Sequence, residues 1–185
     1  PKVLRDLYRH THLHRLYPRM CTDHVQGRLL SMLTRMVAPR HILELGTFTG
    51  YSTLCFAEGM PQGCTIDTVE VDSDYADELR TLFAEAAPDA DIKLHIGDAE
   101  EIIPMLVAEK KYDLVFIDAN KRRYPQYYKL LLEALPHGAY IFADNTLWTD
   151  KVLDPEAHDP QTEGIRTFND LIAADSRVEK IILPV

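Results

Sequence analysis

No run of apolar residues in this chain approaches the ~18 that a bilayer crossing needs, so no transmembrane helix is expected. Cysteine is scarce. Cys21, Cys55 and Cys64 are odd in number, lack C-x-x-C spacing and have no metal-ligating companions nearby. This excludes a disulfide framework and fits reduced thiols in a cytoplasmic protein. Positive charge is in deficit: 20 Lys and Arg against 29 Asp and Glu leave −9. Such a chain repels phosphate backbones, and no Lys/Arg run offers a local basic patch. Repeats, low-complexity tracts and Ser/Gly linkers are missing. So are G-x-G-x-x-G and the G-K-[ST] of a P-loop, which removes the dinucleotide and triphosphate fingerprints. The chain starts at Pro1 rather than Met; no signal peptide is visible, and one upstream stays open.

What is present suits one globular domain spanning 1–185. A chain this long buries roughly 70% of its unfolded surface and needs no staples. Apolar runs of strand length recur at His41–Gly46, Thr65–Asp72, Ile92–Gly97, Tyr112–Asp118, Ala139–Asp144 and Val178–Val185. Helical patterns lie between them. Val25, Leu29, Met32, Leu33 and Met36 share one 3.6-period stripe, and Tyr75, Leu79, Leu82 and Phe83 another. Ser73 or Asp74 is placed to cap the second of these, with Pro88 beyond its end. Further helices are expected at Glu100–Lys110, Pro125–Leu135 and Glu163–Ala173. Alternating strands and helices predict an α/β fold: a Rossmann-like, doubly wound, mostly parallel sheet with helices on both faces. Residues 1–38 read as N-terminal helices covering the site, and 39–185 as the core.

Ligands in such sheets sit outside the carboxyl ends of the strands. There the sequence places Gly46-Thr47-Phe48-Thr49-Gly50, Glu70, Asp72, Gly97-Asp98, Asp118 and Asp144-Asn145. Gly46 and Gly50 let the backbone turn sharply and approach a ligand, or shape a plain turn. Glu70 is placed to accept from ribose hydroxyls, and Ser52 sits at a helix N-terminus suited to a small carboxylate. Asp98 could accept from an adenine amino group. A nucleoside with a carboxylate and no pyrophosphate fits this set, and S-adenosylmethionine is such a molecule.

Asp118 and Asp144-Asn145 end the fourth and fifth strands. If those strands are neighbours, three hard oxygen donors converge, a set that favours Mg²⁺, Mn²⁺ or Ca²⁺ over zinc. Three such donors with no positive group nearby except a metal would repel one another. The alternative is that the two acids are caps or turn formers and Asn145 occupies a left-handed turn. Lys121 follows Asp118 by three residues; neighbouring positive charge would lower its pKa and make it a general base. His10 and His14 could share a helix face and bind a metal, but a solvated helix is the simpler reading.

The strings LELGTFTGYS, VEVD, GDAEEI, VFIDANK and ADNTLW resemble the cation-dependent O-methyltransferases of the catechol and caffeoyl-coenzyme A type, bacterial branch. The resemblance runs from Met20 to the end. It implies that Glu44, Gly46 and Ser52 line the methionine part of S-adenosylmethionine, with Met20 also in contact. Glu70 would hold the ribose and Asp98-Ala99 border the adenine. Asp118, Asp144 and Asn145 would ligate Mg²⁺, Asp118 also lying beside the cofactor's amino group, and Lys121 would be the base. It implies a homodimer and a small aromatic hydroxyl acceptor, which Trp148, with Tyr51 or Phe48, could wall. Methylation of a hydroxylated tRNA uridine is the rival, disfavoured by the acidic charge. An NAD-dependent oxidoreductase and a non-catalytic nucleoside-binding module rank lower. Members of this family close the sheet with an antiparallel strand after a P-x-x-D-G segment. Here the sequence runs to Pro184-Val185, and that last strand, expected between the fifth strand and Val178–Val185, is missing.

Overall fold

The computed structural model describes residues 1–184. Its elements, in chain order, are α1 (Lys2–His14), α2 (His24–Val37), β1 (His41–Leu45), α3 (Tyr51–Gly59), β2 (Thr65–Glu70), α4 (Ala76–Ala86), β3 (Asp91–Ile96), α5 (Ala99–Glu109), β4 (Leu114–Ile117), α6 (Tyr124–Leu132), β5 (Tyr140–Ala143) and α7 (Pro160–Ala174). The five strands form one parallel sheet in the order β3-β2-β1-β4-β5. The chain starts at the centre, winds out to β3, then returns to β4. The winding direction therefore reverses between β1 and β4, where an open α/β sheet leaves its ligand crevice.

Both faces of the sheet are covered, so the central strands read as apolar runs rather than alternating ones. In β1, Ile42 faces a core built with Leu30, Leu54, Phe56, Leu79, Phe83 and Phe116. Leu43 and Leu45 face the opposite core, with Ile103, Val115, Tyr124, Leu131, Ile165 and Phe168. Glu44 breaks this run at full burial. Local caps fix the helix starts. Asp23 accepts from Val25 and Gln26 N–H at the head of α2, and Asp98 accepts from Glu100 N–H at the head of α5.

Three sequence expectations need correction. The α2 stripe faces outward: Val25, Met32 and Met36 are 68%, 62% and 78% exposed, while Gly27, Leu30, Ser31 and Thr34 are buried. The cause is close helix packing. A Cβ on Gly27 would lie 2.8 Å from Tyr51 Cε1, and one on Gly59 only 2.2 Å from Ser31 O, so small residues make the α2–α3 contact. Before α4, the turn is capped by Asp72, which accepts from Asp74 N–H, and not by Ser73 or Asp74. Residues 178–184 form no strand, because no described strand lies beside them to take their backbone hydrogen bonds; Val185 is outside the described residues.

Candidate active site

The loop leaving β1 is drawn tight against the end of β4. Gly46 has φ +98°, its N–H donates to Val69 O at 2.9 Å, and a Cβ there would meet Asp118 O at 2.2 Å. Only glycine permits that approach. Glu70, the last residue of β2, ties this loop to the next one. Its Oε2 accepts from Phe48 N–H at 2.7 Å and its Oε1 from Asp72 N–H at 2.9 Å. Each oxygen keeps a lone pair for a further donor. From α1, Thr11 donates to Thr49 Oγ1 at 3.0 Å, so the N-terminal helix is pinned to the same loop.

Glu44 lies beneath this loop with no exposure. The Thr53 and Thr68 hydroxyls both donate to Oε2, while Oε1 has no hydrogen-bond partner among the described residues. Burial pushes the carboxyl up to about 7, opposed by hydroxyls of Ser52, Thr53 and Thr68, with the charge of Asp118 adding to the rise. An orphaned carboxylate oxygen in a closed site is costly unless a donor arrives. Ser52 is buried in the first turn of α3. Met20 ends a short 3-10 turn and is half exposed, Asp98 caps α5, and Ala99 is buried behind it.

β4 and β5 are neighbours, paired through Ile117 and Ala143. One residue further on lie Asp118 and Asp144. Burial pushes the Asp118 carboxyl up to about 6, Lys121 opposes the rise, and the charge of Asp144 adds to it. Asn145 follows in a left-handed conformation, φ +57°, and is exposed. Lys121 Nζ donates to Asp118 Oδ1 at 2.6 Å, so a positive group adjoins these donors. Lys121 is buried, and it also donates to Tyr124 Oη at 2.6 Å. Gln26 reaches in from α2, its Nε2 donating to Asp144 Oδ1 at 2.8 Å. Among the described residues no three His, Cys, Asp or Glu side chains are grouped to hold a metal. Any cation here would rest on two carboxylates and an amide.

A family model described as O-methyltransferase matches residues 1–185. The chain belongs to the O-methyltransferase family. The methyltransferase is 33% identical over 168 residues to a catechol O-methyltransferase of Niastella koreensis, covering 90% of this chain and 76% of that one. It is 31% identical over 191 residues to a caffeoyl-CoA O-methyltransferase of Stellaria longipes, covering 98% and 79%. Its structure is similar to that of an O-methyltransferase from Bacillus cereus in complex with SAH, with TM-score 0.87, 31% identity, and 95% and 80% of the two chains covered.

Several contacts in this methyltransferase escaped the sequence. Thr11, Gln26 and Tyr124 touch the site from other elements, and only Tyr124 lies near a motif. The segment after β5 is shaped by Arg166 of α7, which donates to the carbonyls of Lys151, Val152, Asp154 and Ala157. Asn169 donates to Thr146 O at 2.8 Å. Within that segment Trp148 packs on the α5–α7 side of the sheet. Tyr51 and Phe48 belong to the opposite core, Tyr51 bonded to His24 and Phe48 edge-on to Tyr75. Trp148 on one side, and Tyr51 and Phe48 on the other, thus pack into the cores on opposite faces of the sheet. His10 and His14 stack at 4.3 Å on α1, with Glu78 Oε1 3.8 Å from His10 Nε2, and among the described residues no three such groups are placed to hold a metal. That helix is more than solvated, since Leu4, Leu7 and Thr11 dock it onto the core.

Proposed function

We propose that this enzyme transfers the methyl group of S-adenosylmethionine to a hydroxyl oxygen of a small catechol-like or hydroxylated aromatic acceptor, with Mg²⁺ or a similar divalent cation at Asp118, Asp144 and Asn145. One observation carries the reading: two carboxylates end the adjacent strands β4 and β5, next to the switch point of the sheet, and one of them is hydrogen-bonded to a buried lysine. The donor set fits a hard cation, because Lys121 engages only one oxygen of Asp118 and the charge of Asp144 still bears on that carboxyl. The orphaned Oε1 of Glu44 fits an ammonium donor such as the one on the methionine part of S-adenosylmethionine. SAH, held by the Bacillus cereus protein, is that molecule after loss of its methyl group. The catechol and caffeoyl-CoA relatives support an aromatic hydroxyl acceptor.

In this reading Glu44, Gly46, Ser52 and Met20 surround the methionine part, Glu70 holds the ribose, and Asp98 and Ala99 border the adenine. Asp118 lies beside the amino group, and Trp148 contributes to the acceptor's rim. Lys121 takes the acceptor's hydroxyl proton. The oxygen–methyl bond forms as the sulfur–methyl bond breaks, so much of the acceleration is positioning. A bound cation supplies Lewis acidity toward the acceptor oxygens and positive charge that disfavours the ammonium form of Lys121. Residues 1–185 act as one domain, the first 38 covering the site. The exposed apolar face of α2 supports a homodimer, and three buried free thiols support a cytoplasmic location.

The test is a methyl-transfer screen over catechols, flavonoids and unmodified tRNA, each with a chelator control. Chelator-sensitive methylation of a catechol is the expected result. Methylation of tRNA alone, or of no aromatic hydroxyl, would overturn the acceptor class.

A further inference from the structure

Tyr124 opens α6 and is fully buried, its ring edge-on to Phe168 at 5.3 Å between centroids. Its hydroxyl lies where the strands carrying the two site acids end. Oη is 2.8 Å from Ile117 O, at the end of β4, and 3.2 Å from Asp144 O, just past β5. A phenol has one hydrogen, and both carbonyls can only accept, so the hydroxyl donates to this backbone pair. A lone pair of Oη is then turned toward Lys121, whose Nζ donates to it at 2.6 Å. The same Nζ donates to Asp118 Oδ1 at 2.6 Å. The chain of donors runs one way, from lysine to phenol to strand-end carbonyls.

We propose that Tyr124 is a positioning residue that holds the Lys121 amine in register with the ends of β4 and β5. The inference rests on the reading of Lys121 as the proton acceptor. A lysine hangs on a flexible four-carbon stem and samples many rotamers when unrestrained. Two fixed acceptors, Asp118 and Tyr124, remove that freedom before the acceptor molecule arrives, leaving the third direction around Nζ for the acceptor's hydroxyl. The phenol is held from both strands, so the amine keeps its place relative to both carboxylates, not to Asp118 alone.

The decisive experiment is a double-mutant cycle. Tyr124→Phe removes the hydroxyl and keeps the ring. It is expected to lower kcat roughly tenfold to a hundredfold, the scale of a misplaced reacting group. The dissociation constant for S-adenosylmethionine, measured by calorimetry, and KM for the acceptor should move less than about twofold. In a Lys121→Ala background, Tyr124→Phe should cost nothing further, because the two residues act as one unit. An equal fall of kcat in both backgrounds, or no fall in the wild-type background, would overturn the positioning role. If Lys121→Ala itself keeps full turnover, the lysine reading falls and takes this inference with it. A dead Lys121→Ala beside a fully active Tyr124→Phe removes only the inference. A measurement on the unaltered protein guards against a folding defect: nitrogen relaxation of lysine side chains should find the Lys121 ammonium among the most ordered, and a mobile one would contradict the proposal.

Discussion

Glu44 illustrates how one side chain couples stability to the site. Its carboxyl ionises near 4.5 in the unfolded chain and is pushed up to about 7 by burial in the folded one. The folded state therefore binds the proton more tightly. Between those values the unfolded chain ionises first, so stability falls as pH rises; above about 7 both states are ionised and the cost is constant. Glu44→Gln cannot ionise. Its urea midpoint should gain on that of the wild-type protein as pH climbs from 5 to 7.5, and a pH-independent difference would refute the burial argument. Lys121→Ala carries the second prediction at this scale. It should bind S-adenosylmethionine in calorimetry with little change and lose turnover by about two to four orders of magnitude. Acids at strand ends were legible in the sequence, because the carboxyl ends of parallel strands can be located from periodicity alone. Gln26 was not: it meets Asp144 across 118 positions of chain, and nothing local marks the pair.

At the scale of elements, α2 shows where periodicity misleads. Its apolar stripe is real, but the helix is seated by Gly27 and Ser31 against α3 with Leu30 in the core, and Val25, Met32 and Met36 point away. Leu30→Ala on the buried face should cost about 2–5 kcal/mol in denaturant unfolding. Met36→Ala on the exposed face should stay within about 0.5 kcal/mol. The reverse order would restore the sequence's version of the helix. α7 meets the site in a similar way. A Cβ on Gly164 would sit 2.4 Å from Lys121 O and 2.7 Å from Arg122 Cα, both backbone. Gly164→Ala should therefore lower both the melting temperature and kcat, although alanine favours a helix interior by about 1 kcal/mol. A more stable, fully active variant would show that this close approach does not matter. The five parallel strands were legible because short segments rich in β-formers recur between helical patterns, β1 and β4 as apolar runs and β3 with polar residues interleaved. Residues 178–184 carry the same apolar signal without a described neighbour, and a strand cannot be read from one chain segment when its pairing decides it.

For the whole molecule, the parallel order β3-β2-β1-β4-β5 puts the loops after all five strands at one edge of the sheet, which no single motif states. The net charge of −9 belongs to this scale too. Association with tRNA should be weak and lose what strength it has as salt rises, since any phosphate contacts must be made against a repulsive field. A filter-binding titration checks this, and tight binding at physiological salt would put the nucleic-acid acceptor ahead of the small aromatic one. The O-methyltransferase family and its fold follow from the whole chain, while the cation and the acceptor rest on the handful of side chains around Asp118 and Asp144. The most direct test is the rate of methyl transfer to a catechol from S-adenosylmethionine, read before chelation, after chelation and after Mg²⁺ is restored. The rate should collapse with the chelator and recover fully with Mg²⁺ in the wild-type protein, and fail to recover in Asp144→Ala. A rate indifferent to the chelator, or undiminished in Asp144→Ala, would contradict the account.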